Sequence, residues 1–108
     1  MNYIKEQNQI YLLNQQGERI AEVLFPKQSE SVVVINRTFV DPSLRGQGVA
    51  NTLLEMAYAS IEAQNLKAIP TCSYAVTWFK RHPERQILLA EGVDLDNPEG
   101  LAKAACSI

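Results

Sequence analysis

Short apolar runs suited to strands fill the first part of the chain, and helical spacing takes over after them. Gln9-Ile10-Tyr11-Leu12-Leu13 predicts a first strand, and Asn14-Gln15-Gln16-Gly17-Glu18 a turn with Gly17 free to take positive φ. Arg19 to Phe25 then pairs back as a hairpin, with Ile20, Val23 and Phe25 apolar against Arg19 and Glu22. After the polar turn Pro26 to Ser31, the β-branched run Val32-Val33-Val34-Ile35 opens a strand from about Val32 to Val40, which Pro42 ends. From Gln47 the residues Val49, Ala50, Leu53, Leu54, Ala57, Tyr58 and Ile61 recur at helical spacing, opposite Asn51, Thr52, Glu55, Ser60 and Glu62.

That helix should stop near Gln64, with Asn65 in the left-handed position and Leu66 folded back. Lys67 to Cys72 reads as a strand that lies parallel to the Val32 strand after the helical crossover. Ser73 is placed to cap a second helix, whose stripe of Tyr74, Ala75, Trp78 and Phe79 reads as core packing and whose end is marked by His82-Pro83. Gln86 to Leu89 suits a short β or turn segment, and Asp94 to Ile108 a docked helical turn or a frayed tail. The expected class is α+β and sandwich-like: an antiparallel meander of three strands, then α-β-α, with a central mixed sheet packed by two helices.

Between strand and helix lies Val40-Asp41-Pro42-Ser43-Leu44-Arg45-Gly46-Gln47-Gly48-Val49-Ala50. The first turn of a helix presents unpaired N–H groups and a positive dipole end, so Gly46 and Gly48, lacking Cβ atoms, let an anion approach them. Arg45 adds a fixed charge and a planar fork for phosphate oxygens. A diphosphate suits this corner. Gly46-x-Gly48-x-x-Asn51 lacks the third glycine of a dinucleotide fingerprint, and no Gly-Lys-Ser/Thr follows for a nucleotide P-loop.

The string Arg45-x-x-Gly48-x-Ala50, with Val40-x-Pro42 before it, resembles the pyrophosphate-binding signature of the GNAT acetyltransferase superfamily. Ile69-Pro70-Thr71-Cys72-Ser73 and the segment from Tyr74 to Glu84, with its His-Pro-Glu string, resemble that superfamily's short single-domain branch. The resemblance implies a minimal GNAT fold over residues 1–108, without the helices that usually follow the first strand and shape the acceptor site. It implies acetyl-CoA as co-substrate, held by Arg45, Gly46, Gln47, Gly48, Val49 and Ala50, with the pantetheine arm inserted between two splayed strands near Phe39 and Val40. It also implies oxyanion stabilisation by backbone N–H groups of the signature strand, and an open, shallow acceptor side.

Composition narrows the partners. The chain has 108 residues, a net charge of -2 and scattered basic residues, which gives no footprint for nucleic acid. No apolar run approaches a membrane span or signal sequence, so a cytoplasmic protein is expected. Two cysteines, Cys72 and Cys106, and one histidine give neither a disulfide scaffold nor zinc-ligand spacing. A monomer or a homodimer fits equally.

Acyl transfer from a thioester needs a deprotonated nucleophile and a proton for the leaving thiolate. In the superfamily the helix after the last strand carries N-x-x-A-x-x-F/L-Y, the tyrosine giving that proton. Here Cys72 falls at the Asn, Ala75 at the Ala and Phe79 at the Tyr. Phe79 has no proton to give, which leaves Tyr74, Ser73, Cys72 or water. Cys72 precedes a helix, where a thiolate is favoured, and could carry the acetyl group transiently; a free cysteine at a strand end also reads as a small buried apolar residue. His82 is ten residues further on, roughly 15 Å along a helix, which forbids a dyad with Cys72 and suits a helix C-cap. Glu22 and Arg37 could line the acceptor side, or stand as surface charges.

The leading reading is thus a small acetyl-CoA-dependent N-acetyltransferase acting on an unidentified amine, with a Cys72 intermediate as one route. Its rival is a non-catalytic acyl-CoA-binding or sensing domain. A third reading makes the glycine turn structural within a protein-interaction domain.

Overall fold

The computed structural model describes residues 2–96. Its elements, in order, are β1 (Tyr3–Glu6), β2 (Gln9–Leu13), β3 (Arg19–Leu24), β4 (Val32–Ile35), β5 (Arg37–Val40), α1 (Val49–Ala63), β6 (Lys67–Pro70) and α2 (Ser73–Arg81). Short 3-10 segments occupy Pro42–Leu44 and Pro83–Leu88. The fold is α+β, as the residue pattern predicts, and the stretch expected to form a C-terminal turn or tail lies mostly outside the described residues.

The β2–β3 hairpin forms because its turn chemistry and its alternation agree. Asn14 Oδ1 accepts from the amides of Gln16 and Glu18, each at 2.9 Å, and Gly17 takes φ 81°. Ile10, Leu12, Ala21 and Val23 then all face inward and are fully or almost fully buried. β1 pairs antiparallel with β2, from Tyr3↔Leu12 to Glu6↔Gln9, and is an addition to the expected meander. An edge strand with two exposed positions carries little apolar signal; Tyr3 alone in it packs against the core.

The expected Val32 to Val40 strand is divided at Asn36. β4 pairs parallel with β6, from Val32↔Lys67 to Ile35↔Pro70, whereas β5 pairs antiparallel with β3, from Ala21↔Val40 to Leu24↔Arg37. The sheet orders are therefore β1-β2-β3-β5 and β4-β6. Side-chain parity explains the break. Val33 and Ile35 are buried, so uninterrupted alternation would bury Arg37; one extra residue, the exposed Asn36, turns Arg37 outward and brings Val40 in.

α1 lies across β2, β3 and β5 through Val49, Leu53, Leu54, Ala57, Tyr58 and Ile61. Burying a side chain of the size of Leu53 or Phe25 contributes about 2 kcal/mol. Its end is a Schellman motif: Asn65 has φ 59°, Leu66 N–H donates to Ile61 O at 3.1 Å and Asn65 N–H to Glu62 O at 3.0 Å. α2 packs on α1 and β6 with Ala75, Trp78 and Phe79. Gln86–Leu88, expected as β or turn, is 3-10 turn, and Leu89 follows with one parallel bridge to Ala68.

Candidate functional site

Two features of the fold meet at the C-terminal end of β5. The first is the turn into α1. Asp41 accepts from the Ser43 amide at 2.9 Å and fixes the Pro42–Leu44 turn, and Leu44 O takes the Gln47 amide at 3.3 Å. Gly46 and Gly48 have φ 84° and 73°, in the left-handed region, and open space stands where a Cβ would be. Gly48 is the N-cap of α1 and has no side chain with which to cap it. The amides of Gly46, Gly48, Val49, Ala50 and Asn51 thus have no protein acceptor among the described residues. They border a cavity of about 280 Å³ lined also by Val40, Arg45 and Tyr74.

The second feature is the unpaired edge of β5. Asp41 N–H donates to Ile20 O at 2.8 Å, in register with Ala21↔Val40. Antiparallel alternation then directs the backbone groups of Phe39 to Glu22 in β3 and those of Thr38 and Val40 to the open edge. The opening exists because β4 stays with β6 while β5 leaves it. Ile35 O still takes the Thr71 amide at 3.0 Å and the Cys72 amide at 3.4 Å, and beyond this point no strand among the described residues pairs with β5 on that side.

Cys72 closes the far end of the opening. It is the extended N-cap of α2, half-buried, with Sγ 3.2 Å from Thr38 Oγ1. Ser73, expected as the cap, is instead the first residue of the helix and exposed; among the described residues no side chain caps α2, because the strand delivers Cys72 to the N-cap position one residue earlier. Ser73 and Tyr74 line a second cavity of about 370 Å³ between α1 and α2, which shares Ala50, Asn51 and Tyr74 with the first. Its wall is fixed by Trp78, whose Nε1–H donates to Asn51 Oδ1 at 2.8 Å.

The other expected residues fall as follows. Gln47 and Phe39 do not line the glycine cavity, and Val49 lines it while its side chain is 2 % exposed. His82 is the C-cap of α2, at the opposite end from Cys72, its ring 4.7 Å from Trp78. Phe79 is buried in the core. Arg37 pairs with Glu22 on the outer face of the sheet, where Arg19 joins them. Thr38 and Asn51 join the site without being among the expected site residues; their signals are a hydroxyl at an unpaired strand position and an amide in the first turn of α1. Among the described residues no three His, Cys, Asp or Glu side chains cluster as a metal site, and no helix is long and apolar enough to cross a membrane.

Solved structures are similar to this chain in fold. A GCN5-like protein from Staphylococcus aureus is 25% identical, with 82% of this chain and 87% of that one covered and a TM-score of 0.69. Rv2747 from Mycobacterium tuberculosis, in complex with CoA and NLQ, is similar at 14% identity over 70% of this chain and 47% of that one, with a TM-score of 0.57. Tetrahymena GCN5 is similar at 13% identity over 80% and 61%, with a TM-score of 0.56. The last two likenesses speak to the fold alone. No curated protein matches the sequence. A family model described as GCN5-related N-acetyl-transferase matches residues 9–88, which span both strands of the opening, the glycine turn and α2. The chain therefore belongs to the GCN5-related N-acetyl-transferase family.

Proposed function

We propose that the protein is an acetyl-CoA-dependent N-acetyltransferase with an amine acceptor, and that Cys72 takes part in the transfer. One observation carries the reading: a helix N-terminus stripped of caps by Gly48 lies in line with the unpaired edge of β5, and that edge runs to a thiol. The glycine turn, with its free amides and Arg45, has the donor set for a diphosphate. The free groups of Thr38 and Val40 would hold an amide-bearing arm as an added strand is held. From Val40 to Arg37, four residues at about 3.3 Å each bring such an arm to the neighbourhood of Cys72.

Bound acetyl-CoA supplies an acetyl thioester. Thr38 Oγ1 positions the Cys72 sulfur, and α2 places its N-terminal dipole there. In the covalent route the Cys72 sulfur forms a bond to the acetyl carbon as the bond between that carbon and the CoA sulfur breaks, and CoA departs as thiolate. The free amine then bonds to that carbon, the Cys72–acetyl bond breaks, and the amine's surplus proton passes to solvent. Tyr74, at the junction of the two cavities, and Ser73 beside it are the hydroxyls placed to donate to the departing thiolate.

A second reading, binding without transfer, is favoured by the buried Phe79 and by the absence of a hydrogen-bonded base at Cys72 among the described residues. Calorimetric titration with acetyl-CoA tests the cradle: the expected result is binding by the natural chain and at least tenfold weaker binding by Gly48→Glu. Equal affinities would remove the cradle. Incubation with acetyl-CoA followed by intact-mass measurement should then show one acetyl adduct that Cys72→Ala lacks. Affinity with neither adduct nor CoA release would leave a binding domain.

A further inference from the structure

Both strands that part at the opening hold Cys72 in place. Ile35 O in β4 takes its amide at 3.4 Å and that of Thr71 at 3.0 Å, and Thr38 in β5 meets its Sγ at 3.2 Å through Oγ1. Thr38 is also one of the two residues whose backbone groups face the open edge of β5, so the sulfur stands beside the track proposed for the arm of the cofactor. The thiol is free and half-buried. In a transfer between two thiols, each sulfur is bonded in turn to the same carbon. Once the acetyl group has gone, the CoA thiol and the Cys72 thiol are left facing each other with nothing between them.

Resting on the acetyltransferase reading, we propose that Cys72 is a site of reversible modification, at which hydrogen peroxide joins the protein to its own CoA product as a mixed disulfide and switches the transfer off. The Cys72 sulfur attacks one peroxide oxygen, the O–O bond breaks, and a sulfenic acid and one water form. The CoA sulfur then bonds to the Cys72 sulfur, the sulfur–oxygen bond breaks, and the hydroxyl leaves with the CoA thiol proton as a second water. Two thiols together lose two electrons, and one peroxide is reduced to two waters. Exchange with a reducing dithiol returns both thiols.

The glycine turn decides which thiol is captured. An accessible sulfenic acid reacts with whichever thiol arrives, whereas the free amides of the turn and Arg45, bordering the cavity of about 280 Å³, concentrate the one thiol that carries a diphosphate. Anchored at that end, the CoA sulfur reaches Cys72 as an intramolecular partner does. Its capture of the sulfenic acid also competes with a second peroxide, which would carry the sulfur on to the irreversible sulfinic acid. While the disulfide stands, Cys72 cannot take an acetyl group and the cofactor cradle is filled. One bond therefore blocks the nucleophile and the cofactor site together.

The test uses the full chain carrying Cys106→Ser, which leaves Cys72 as its one cysteine. The chain is exposed to hydrogen peroxide with equal concentrations of CoA, pantetheine or glutathione, and the adducts are followed by intact mass. Pantetheine has the same arm and thiol as CoA without the diphosphate, so the CoA adduct should form about tenfold faster than the pantetheine adduct. An excess of dethio-CoA, which keeps the diphosphate and lacks the sulfur, should suppress it, and dithiothreitol should remove it and restore acetylation of Cys72 by acetyl-CoA. Equal rates for the three thiols, no effect of dethio-CoA, or oxidation to sulfinic acid with no CoA adduct would overturn the switch while calorimetry still showed CoA bound. A chain that binds no CoA in the calorimeter would instead overturn the acetyltransferase reading, and the switch with it.

Discussion

At the scale of single residues, the site depends on groups whose partners come from distant parts of the chain. Thr38 and Cys72 meet at 3.2 Å, and Asn51 and Trp78 at 2.8 Å. Replacing Asn51 with Ala leaves the indole N–H of a nearly buried tryptophan without an acceptor, and should cost about 1 kcal/mol in urea unfolding. Thr38→Val should leave stability within about 1.5 kcal/mol, because the hydroxyl is only partly buried, while slowing acetylation of Cys72 about tenfold in a mass-detected time course. The glycine turn and Cys72 could be read from the sequence because their chemistry is local: a missing Cβ, a fixed charge, a thiol before a helix. Thr38 could not, since its relevance comes from the thiol opposite and from a strand edge that only pairing reveals.

At the scale of elements, boundaries were legible where the backbone needs an unusual conformation. Asn65 in the left-handed region ended α1 in the sequence as in the structure. Asn65→Ala should therefore cost about 1 kcal/mol in chemical denaturation, and Asn65→Gly should match or exceed the natural chain. The break at Asn36 was harder to see, because Val32 to Val40 is continuous in β propensity; the clue was the clash of parity between Ile35 and Arg37. Deleting Asn36 would force Arg37 onto the buried side and shift β5 by one residue. The expected outcome is loss of the cooperative unfolding transition or of acetyl-CoA binding, checked by circular dichroism and calorimetry. β1 carries little signal in the sequence because an edge strand need not be apolar.

At the scale of the whole molecule, the side chains that respond to pH lie at the surface. Carboxyls of Glu6, Asp41 and Glu84 are held below their ordinary values of 4.5, 3.8 and 4.5; the largest causes are the Tyr11 hydroxyl, the Ser43 hydroxyl and the backbone N–H of Glu84. A depressed carboxyl contributes stability that is present above its unfolded value and lost as pH falls through its folded one. Tyr11 is raised above 10.0 by its bond to Glu6, so its contribution is present below that value and lost as pH rises further. Melting temperature should thus be flat from about pH 5 to 9 and decline on both sides, with small amplitude because all four groups are exposed. The order of strands was only partly legible for the same reason that the site was: adjacency in the sheet is decided by long-range pairing. The four-residue length of β5 has a further consequence. If the arm of the cofactor lies along it, the strand works as a measuring stick, comparing the distance from diphosphate to thioester with a fixed count of peptide units. Truncated thioesters that keep the acetyl group but lack the distant phosphates would lose the anchor that sets the measurement, and the enzyme would discriminate acyl carriers by their length before any side chain had inspected the acyl group.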